Sequence, residues 1–206
     1  MIRSLATLLV AAATLAYGAA TAAESLAGMW SATTRTRGGL AAQWVFAPNG
    51  VATRTFGALV DYRYGIQGAR LSLTELDGNH APTSKVTTQD FTLLGDTLTM
   101  NPTKPEGRQL MKRVGQPFPG THPIVGEWSF KHYSGGMAYM RFGRTGIVQL
   151  SVPFETATGT WSQDGAMLAT RFKEKQPVSG PWRIEKGFLH FAEDGAKETR
   201  FRRFDY

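Results

Sequence analysis

The side chains that could bind a metal ion are few and do not form a local motif. The chain contains four histidines and no cysteine. None of the histidines stands two or four positions from another, the spacing at which two imidazoles on one strand or helix can share a metal ion. They are His80, His122, His132 and His190. The sequence therefore predicts no metal site.

Motifs with a known catalytic mechanism are also missing from the sequence. There is no Gly-x-Ser-x-Gly segment, no phosphate-binding loop and no dinucleotide-binding fingerprint. Asp61 and Glu155 lie in strand-like stretches and could pair inside a barrel, although a position at an edge or on the outer face is the simpler interpretation. We predict no catalytic residues and no cofactor. An enzyme is the remaining alternative, with a site assembled from distant positions.

A duplication organises the chain. Leu-Ala-Gly-Met-Trp-Ser at residues 26–31 is matched by Ile-Val-Gly-Glu-Trp-Ser at residues 124–129. Further landmarks follow in the same order in both halves. The matching segments are 46–50 and 142–146, 64–71 and 161–168, 91–100 and 182–191, and 111–114 and 201–204. Five matches in one order indicate two similar units with altered loops.

The local pattern of the chain is that of β-strands. Trp44 and Phe46 fall on one face of an alternating segment, and residues 147–152 and 166–172 alternate in the same way. Asn49-Gly50 and Asp164-Gly165 stand at the ends of such segments, where these residue types accept the positive φ of tight hairpins. Turns about every 8 to 12 residues are typical of an all-β sandwich or barrel. Helices are expected only as short turns.

The first 23 residues have the pattern of a signal peptide. Arg3 supplies the positive start, residues 5–17 form an apolar run, and Ala20-Thr21-Ala22 offers small residues for cleavage. The run is shorter than the about 20 apolar residues that cross a membrane. We therefore expect Gram-negative-type export to the periplasm or outside the cell. Because the chain has no cysteine to carry a lipid, the mature form should not be a lipoprotein and should have no transmembrane segment.

The remainder divides into two predicted domains. Unit 1 covers residues 24–115, unit 2 covers residues 124–206, and residues 116–123 form a linker that three prolines should make stiff and extended. At about one strand per ten residues, each unit would have about eight strands. Closure into an up-and-down barrel removes exposed strand edges. The predicted fold is all-β, with two small antiparallel barrels in tandem.

Each unit opens with Gly-x-Trp and closes with a basic pair, a combination that resembles the lipocalins and the wider calycin superfamily, in particular short lipocalin-like repeats of secreted bacterial proteins. The resemblance implies that the first-strand tryptophan lies at the closed end of the barrel. It also implies that an arginine of the last strand lies across the indole, a contact of about 0.5–2 kcal/mol. The residues that would close the barrels are Gly28, Trp30 and Arg113 in unit 1 and Gly126, Trp128 and Arg203 in unit 2.

An eight-stranded barrel is either filled by its own side chains or holds one small ligand. Six residues recur at equivalent places and could line such a pocket, although the same residues could simply form the core. They are Trp44, Phe46 and Tyr64 in unit 1 and Met140, Phe142 and Trp161 in unit 2. The leading hypothesis is a non-catalytic binding protein that holds a small apolar or amphipathic ligand in one or both barrels.

The net charge of +7 allows a second hypothesis. A basic protein is attracted to anionic surfaces of the cell envelope. In this alternative the barrels are filled, and a basic outer face contacts a protein or an anionic glycolipid. Nucleic-acid binding is not predicted. Cations do alternate with aromatic residues at Arg141-Phe142 and Arg171-Phe172, but in a strand this alternation places them on opposite faces rather than on one stacking surface.

Overall fold

The computed structural model describes residues 25–173 and 176–206. Over these ranges the chain forms fourteen strands and one 3-10 turn, Glu193–Gly195, with no α-helix. The strands are β1 (Gly28–Ala32), β2 (Leu40–Phe46), β3 (Val51–Gln67), β4 (Arg70–Leu76), β5 (Pro82–Leu94), β6 (Thr97–Met100), β7 (Gln109–Val114), β8 (Gly126–Lys131), β9 (Met137–Phe142), β10 (Ile147–Asp164), β11 (Met167–Phe172), β12 (Val178–Glu185), β13 (Phe188–Phe191) and β14 (Thr199–Phe204). The predicted all-β class is confirmed.

Two predictions at the level of segments have different outcomes. The predicted signal peptide, residues 1–23, lies outside the described residues. Within the described part of the chain, no helix has the length and apolar character needed to cross a membrane.

The strands form one closed antiparallel ring. Each strand pairs with the next along the chain, and β14 pairs with β1. In addition, β3 and β10 pair with each other across the ring, from Arg63 opposite Ile147 to Val51 opposite Thr160. This cross-ladder divides the ring into two circuits of eight strands. We call them ring A, formed by β1–β3 and β10–β14, and ring B, formed by β3–β10.

The two longest strands belong to both rings because their two ends have different neighbours. The first part of β3 pairs with β2 and its last part with β4. The first part of β10 pairs with β9 and its last part with β11. These strands have 17 and 18 residues. Each half of the chain therefore crosses from one ring into the other.

Neither sequence unit closes on itself, and this differs from the predicted tandem barrels. Tandem closure would pair β1 with β7 and β8 with β14, whereas the structure pairs β1 with β14 and β7 with β8. The reason is the strand number. Each half supplies seven antiparallel strands, so its first and last strands run in the same direction and cannot close an up-and-down barrel, which needs an even number.

The predicted linker has a different place in the fold as well. Residues 116–123 join the neighbouring strands β7 and β8 within ring B rather than two separate barrels. The ring of Phe118 stacks on that of Tyr206, with centroids 5.3 Å apart. The linker therefore packs against the C-terminal segment.

Each ring encloses its own hydrophobic core. The core of ring A is mainly aromatic, and its largest fully buried side chains are Trp30, Trp44, Phe46, Phe191 and Phe201. The core of ring B is mainly aliphatic, and its largest fully buried side chains are Leu71, Leu98, Met100, Ile124, Trp128 and Phe142. Both interiors are therefore largely filled by side chains.

Candidate functional site

The two Gly-x-Trp segments fold in the same way. Trp30 Nε1 donates a hydrogen bond to the carbonyl oxygen of Leu26 at 2.8 Å, and Trp128 Nε1 donates to that of Ile124 at 2.8 Å. Both indoles are fully buried. A buried indole N–H needs such a partner, which explains why an apolar residue and the tryptophan keep a spacing of four in both halves.

The arginine that covers each indole comes from the other half of the chain. Arg203 lies opposite Trp30 in the β1–β14 ladder, and its Cζ is 5.4 Å from the centre of the indole. Arg113 lies opposite Trp128 in the β7–β8 ladder, at 4.2 Å. The contact expected within each unit is thus exchanged between units, because the strands that carry the arginines are exchanged.

The glycine of each Gly-x-Trp segment has a steric role. Gly28 has φ +135° and Gly126 has φ +134°. A Cβ on Gly28 would lie 3.1 Å from Arg203 Nε, and one on Gly126 would lie 3.0 Å from Arg113 Nη1. Glycine is therefore required twice over, by the backbone conformation and by the covering arginine.

Four of the six residues predicted to line barrel pockets are buried in the two cores. Trp44 and Phe46 belong to the core of ring A, where their rings stack with centroids 5.4 Å apart. Met140 and Phe142 belong to the core of ring B. A hollow of about 220 Å³ remains beside Met140 in ring B. Its other apolar walls include Tyr62, Leu73, Met100, Met111 and Phe130.

The remaining two predicted residues, Tyr64 and Trp161, are partly buried against the cores. Their polar atoms bind the main chain: Tyr64 Oη donates to the carbonyl oxygen of Gly143 at 2.8 Å, and Trp161 Nε1 donates to that of Ala47 at 2.9 Å. These groups are therefore occupied by backbone contacts in the structure.

A cleft of about 1000 Å³ lies outside both interiors. It is bordered by strands of both rings and by the C-terminal segment. Of the predicted pocket residues, Phe46 borders it. Its apolar walls include Met29, Val45, Val114, Met137, Phe204 and Tyr206. Its polar walls include Gln43, Thr53, Thr55, Glu127, Thr156 and Arg203.

One wall of the cleft carries a buried charged cluster. Arg141 Nε donates to Glu127 Oε2 at 2.5 Å, and Tyr206 Oη donates to the same oxygen at 3.1 Å. Burial, and then the charge of Glu127, raise the pKa of Tyr206, so its hydroxyl stays protonated. The Arg141 side chain is 9% exposed, and its Nη1 has no hydrogen-bond partner. Arg141 borders the cleft with other atoms, because Nη1 itself is shielded from solvent.

A second polar group is buried close to the point where the rings meet. Asp61 on β3 is 3% exposed. Its carboxylate accepts hydrogen bonds from His80 Nε2 at 2.8 Å, from Gln149 Nε2 at 2.9 Å and from Arg35 Nη2. Burial alone would raise the pKa of Asp61, but the hydrogen bond from His80 and the charge of Arg35 together hold it below its ordinary value. Asp61 is therefore an ionised, fully partnered carboxylate.

The same network continues into ring A. Gln43 Nε2 donates to Gln149 Oε1 at 2.6 Å and to Ser31 Oγ at 3.0 Å. The network thus connects β1, β2, β3 and β10 with the loops that carry Arg35 and His80. We call these six residues the seam network: Ser31, Arg35, Gln43, Asp61, His80 and Gln149.

The sequence named two members of the seam network without bringing them together. His80 is one of the four histidines that form no local metal motif, and Asp61 is the residue considered as a partner of Glu155. In the structure Asp61 pairs with Gln149 across the cross-ladder, whereas Glu155 is exposed and stands opposite Phe56. No group of three or more His, Asp or Glu side chains in the described ranges is arranged to hold a metal ion.

No protein-family model, curated protein or solved structure matches this chain. The function is therefore inferred from the geometry of the cleft and of the seam network.

Proposed function

We propose that the protein binds a small amphipathic molecule in the cleft between ring A and ring B. The observation that carries this proposal is a cleft of about 1000 Å³ in a molecule whose two barrel interiors are largely filled. Ligand pockets typically have volumes of about 300–1,000 Å³. The hollow in ring B, at about 220 Å³, falls below that range.

The apolar walls would supply the affinity. Met29 and Val45 come from ring A, and Val114 and Met137 come from ring B. Val45, Val114 and Met137 are 38%, 43% and 48% exposed, so they leave apolar area in contact with water. Removing such area from water contributes about 25 cal/mol per Å², and a ligand that touches both rings covers all of these side chains at once.

The charged cluster would orient the ligand. Arg141, Glu127 and Tyr206 form one polar wall of the cleft, where Arg141 and Tyr206 both donate to Glu127. A polar group of the ligand that lies against this wall would meet charged and hydroxyl groups rather than an apolar surface. The combination of apolar walls and one polar wall favours an amphipathic ligand over a purely apolar one.

The proposal includes an origin and a location for the protein. The stacked Trp30–Arg203 and Trp128–Arg113 pairs support a relationship to calycin-like barrels, here as two eight-stranded rings that have exchanged strands. The pattern of residues 1–23 supports export to the periplasm or outside the cell.

A fluorescence titration with the uncharged, polarity-sensitive probe 6-propionyl-2-(dimethylamino)naphthalene tests the site. Val45→Arg places a charge in the apolar wall and should weaken binding at least about tenfold, because a guanidinium would have to be desolvated. Val86→Arg is the matched control, since Val86 is 61% exposed and lies outside the cleft. Equal affinities of the two variants would contradict the proposal.

A third variant separates the cleft from the barrel interior. Gln89→Trp fills the hollow of ring B, which Gln89 lines, and should leave probe binding unchanged. If Gln89→Trp abolishes binding while Val45→Arg does not, the ligand site is the barrel interior and the cleft proposal is wrong.

A further inference from the structure

We propose that a separate cavity beside the seam network binds a small oxyanion, a carboxylate or phosphate group, with Arg202 as its cationic anchor. The cavity has a volume of about 220 Å³. The end of β14 borders it from ring A, and the loop after β4 and the turn between β9 and β10 border it from ring B. The residues that matter for recognition are Ser31, Asp61, His80, Thr145 and Arg202.

The state of Arg202 is the main observation. It lies on β14, is partly buried, and its Cζ is 5.2 Å from the centre of the Phe188 ring. Within the described ranges, no carboxylate forms an ion pair with its guanidinium. Burial lowers the pKa of Arg202, the charge of Asp61 offsets this only in part, and the charges of Arg200 and Arg35 act in the same direction as burial. A partly buried cation without an ion-pair partner is costly unless a ligand supplies one.

The carboxylate on the cavity wall, that of Asp61, acts on Arg202 through its charge but forms its ion pair with Arg35. The oxygens of Asp61 already accept hydrogen bonds from His80, Gln149 and Arg35. The charge of Asp61 is therefore balanced by Arg35, and it does not repel an incoming anion with a full negative charge. Asp205, the other acidic residue on the wall, is exposed to solvent.

The geometry of a stacked guanidinium favours an oxyanion over other anions. Arg202 Cζ lies 5.2 Å from the centre of the Phe188 ring, and the residue also borders the cavity. A guanidinium edge matches two oxygens of a carboxylate or phosphate with parallel hydrogen bonds. The Thr145 hydroxyl, from an exposed turn on the opposite wall, provides a further donor. The small volume restricts the ligand to a small molecule or to the head group of a larger one.

Isothermal titration calorimetry with inorganic phosphate and with acetate, at constant ionic strength set by sodium chloride, tests the site. We expect saturable binding of at least one anion to the full chain, and the tighter of the two identifies the preferred chemistry. Arg202→Gln should weaken binding at least about tenfold, because it removes at least one charge-assisted hydrogen bond to the anion. A tenfold loss of affinity corresponds to about 1.4 kcal/mol. Absence of saturable binding to the wild-type protein would overturn the proposal.

Arg200→Gln is the matched control. Arg200 lies on the same strand as Arg202 and contacts the same phenyl ring, with its Cζ 4.7 Å from the centre of the Phe188 ring. Unlike Arg202, it is exposed and does not border the cavity. It should keep wild-type affinity within about twofold, and an equal loss in both variants would mean a nonspecific charge effect. If Arg202→Gln fails to fold, Thr145→Val in the exposed turn should still weaken binding severalfold, and unchanged affinity there would contradict the site.

The outcome is independent of the cleft proposal. The two cavities share Arg203, Phe204 and Asp205 as border residues but none of the groups assigned to the oxyanion. Val45→Arg should therefore reduce probe binding in the cleft and leave phosphate or acetate binding unchanged.

Discussion

Ring A and ring B each contain a Gly-x-Trp segment whose indole is covered by an arginine, an arrangement that we call a corner. The arginine has different contacts in the two rings. In ring B the guanidinium of Arg113 lies 4.2 Å from the indole of Trp128, and its side chain is 3% exposed. It donates to Asp96 Oδ1 at 3.0 Å and to the carbonyl oxygens of Pro123 and Val125 at 2.6 and 3.2 Å. The corner of ring B is therefore closed to solvent.

The corner of ring A is looser and open to the cleft. Arg203 lies 5.4 Å from Trp30 and donates to one carbonyl oxygen, that of Ala27, at 2.5 Å. It borders both the cleft and the oxyanion cavity. One repeated motif therefore stabilises ring B, while in ring A it also places a cation beside two candidate binding sites.

The cores differ in the same sense as the corners. Trp30 faces Trp44 across the β1–β2 ladder, whereas Trp128 faces Met140 across the β8–β9 ladder. Indole and phenyl rings fill ring A, and the thinner methionine side chain in ring B leaves the hollow of about 220 Å³. Substitutions at equivalent positions should therefore have unequal effects.

The largest expected effect is that of Trp44→Ala in ring A. It should lower the free energy of unfolding by about 3–5 kcal/mol, since a fully buried indole leaves a large cavity. Met140→Ala at the equivalent place should lower the free energy of unfolding by about 2 kcal/mol. This is the lower end of the range for buried methionine-to-alanine substitutions, because a hollow already adjoins Met140. Urea denaturation measures both values. An equal or larger loss for Met140→Ala would show that the two cores are equally well packed.

A substitution in the seam network should have the next largest effect on stability. Asp61→Asn should lower the free energy of unfolding by about 3 kcal/mol at pH 7, because the partly buried Arg35 loses its counter-charge. Asp90→Asn is the control: the Asp90 and Arg70 side chains are 46% and 65% exposed, and exposed pairs contribute about 0–1 kcal/mol. Similar losses in the two variants would contradict a special role for the seam network.

The acid dependence of the Asp61→Asn effect gives a separate prediction. The pKa of Asp61 is lowered from its ordinary value of 3.8 in the folded protein. The stability that its carboxylate contributes is therefore fully present above about pH 3.8 and is lost as pH falls through the folded-state pKa. The difference between wild type and Asp61→Asn should shrink in urea denaturation as pH falls below about 3.8. A difference that grows in acid would have the wrong sign.

A smaller effect should distinguish the two corners. Arg113→Gln should lower the free energy of unfolding by about 2 kcal/mol, from the lost cation–π contact and charged hydrogen bonds. Arg203→Gln should cost about 1 kcal/mol, because its guanidinium is farther from the indole and makes fewer contacts. Thermal unfolding of the two variants measures the difference. A larger loss for Arg203→Gln than for Arg113→Gln would contradict the description of the corner of ring B as the more tightly packed one.

The smallest effect is expected from cutting the chain between the two units. A protease site introduced between Pro119 and Gly120 opens the β7–β8 connection, but the halves remain paired through the β1–β14, β7–β8 and β3–β10 ladders. The cut protein should elute as one species in size-exclusion chromatography with an unchanged circular dichroism spectrum. Two separately folded halves would instead indicate tandem barrels.

The strand class and the repeat were predictable because they depend on local pattern. Gly50 and Gly165, expected in tight turns, have φ +81° and +54°. Ring closure was not predictable in this way, since the same hairpins arise whether the last strand meets its own first strand or that of the other half. The strand count decides between these arrangements: seven strands per half forbid the closure that the expected eight would have allowed.

Only single residues of the candidate sites could be predicted from the sequence. The sequence places Asp61 in a predicted strand and offers His80 only as an isolated histidine, because their 2.8 Å contact depends on how the loop after β4 packs. Gln43 and Gln149, polar residues inside otherwise apolar strands, were the available signal. The cleft had no sequence signal, because it forms only where two rings lie side by side.

The pairing of the first strand with the last also bears on how the chain folds as it is made. The backbone hydrogen bond from Thr33 to Arg200 joins residues 167 positions apart. Ring A therefore cannot close before residue 200 has left the ribosome, and such distant contacts slow folding. In a protein exported as proposed, this delay would keep ring A open while the chain is being made.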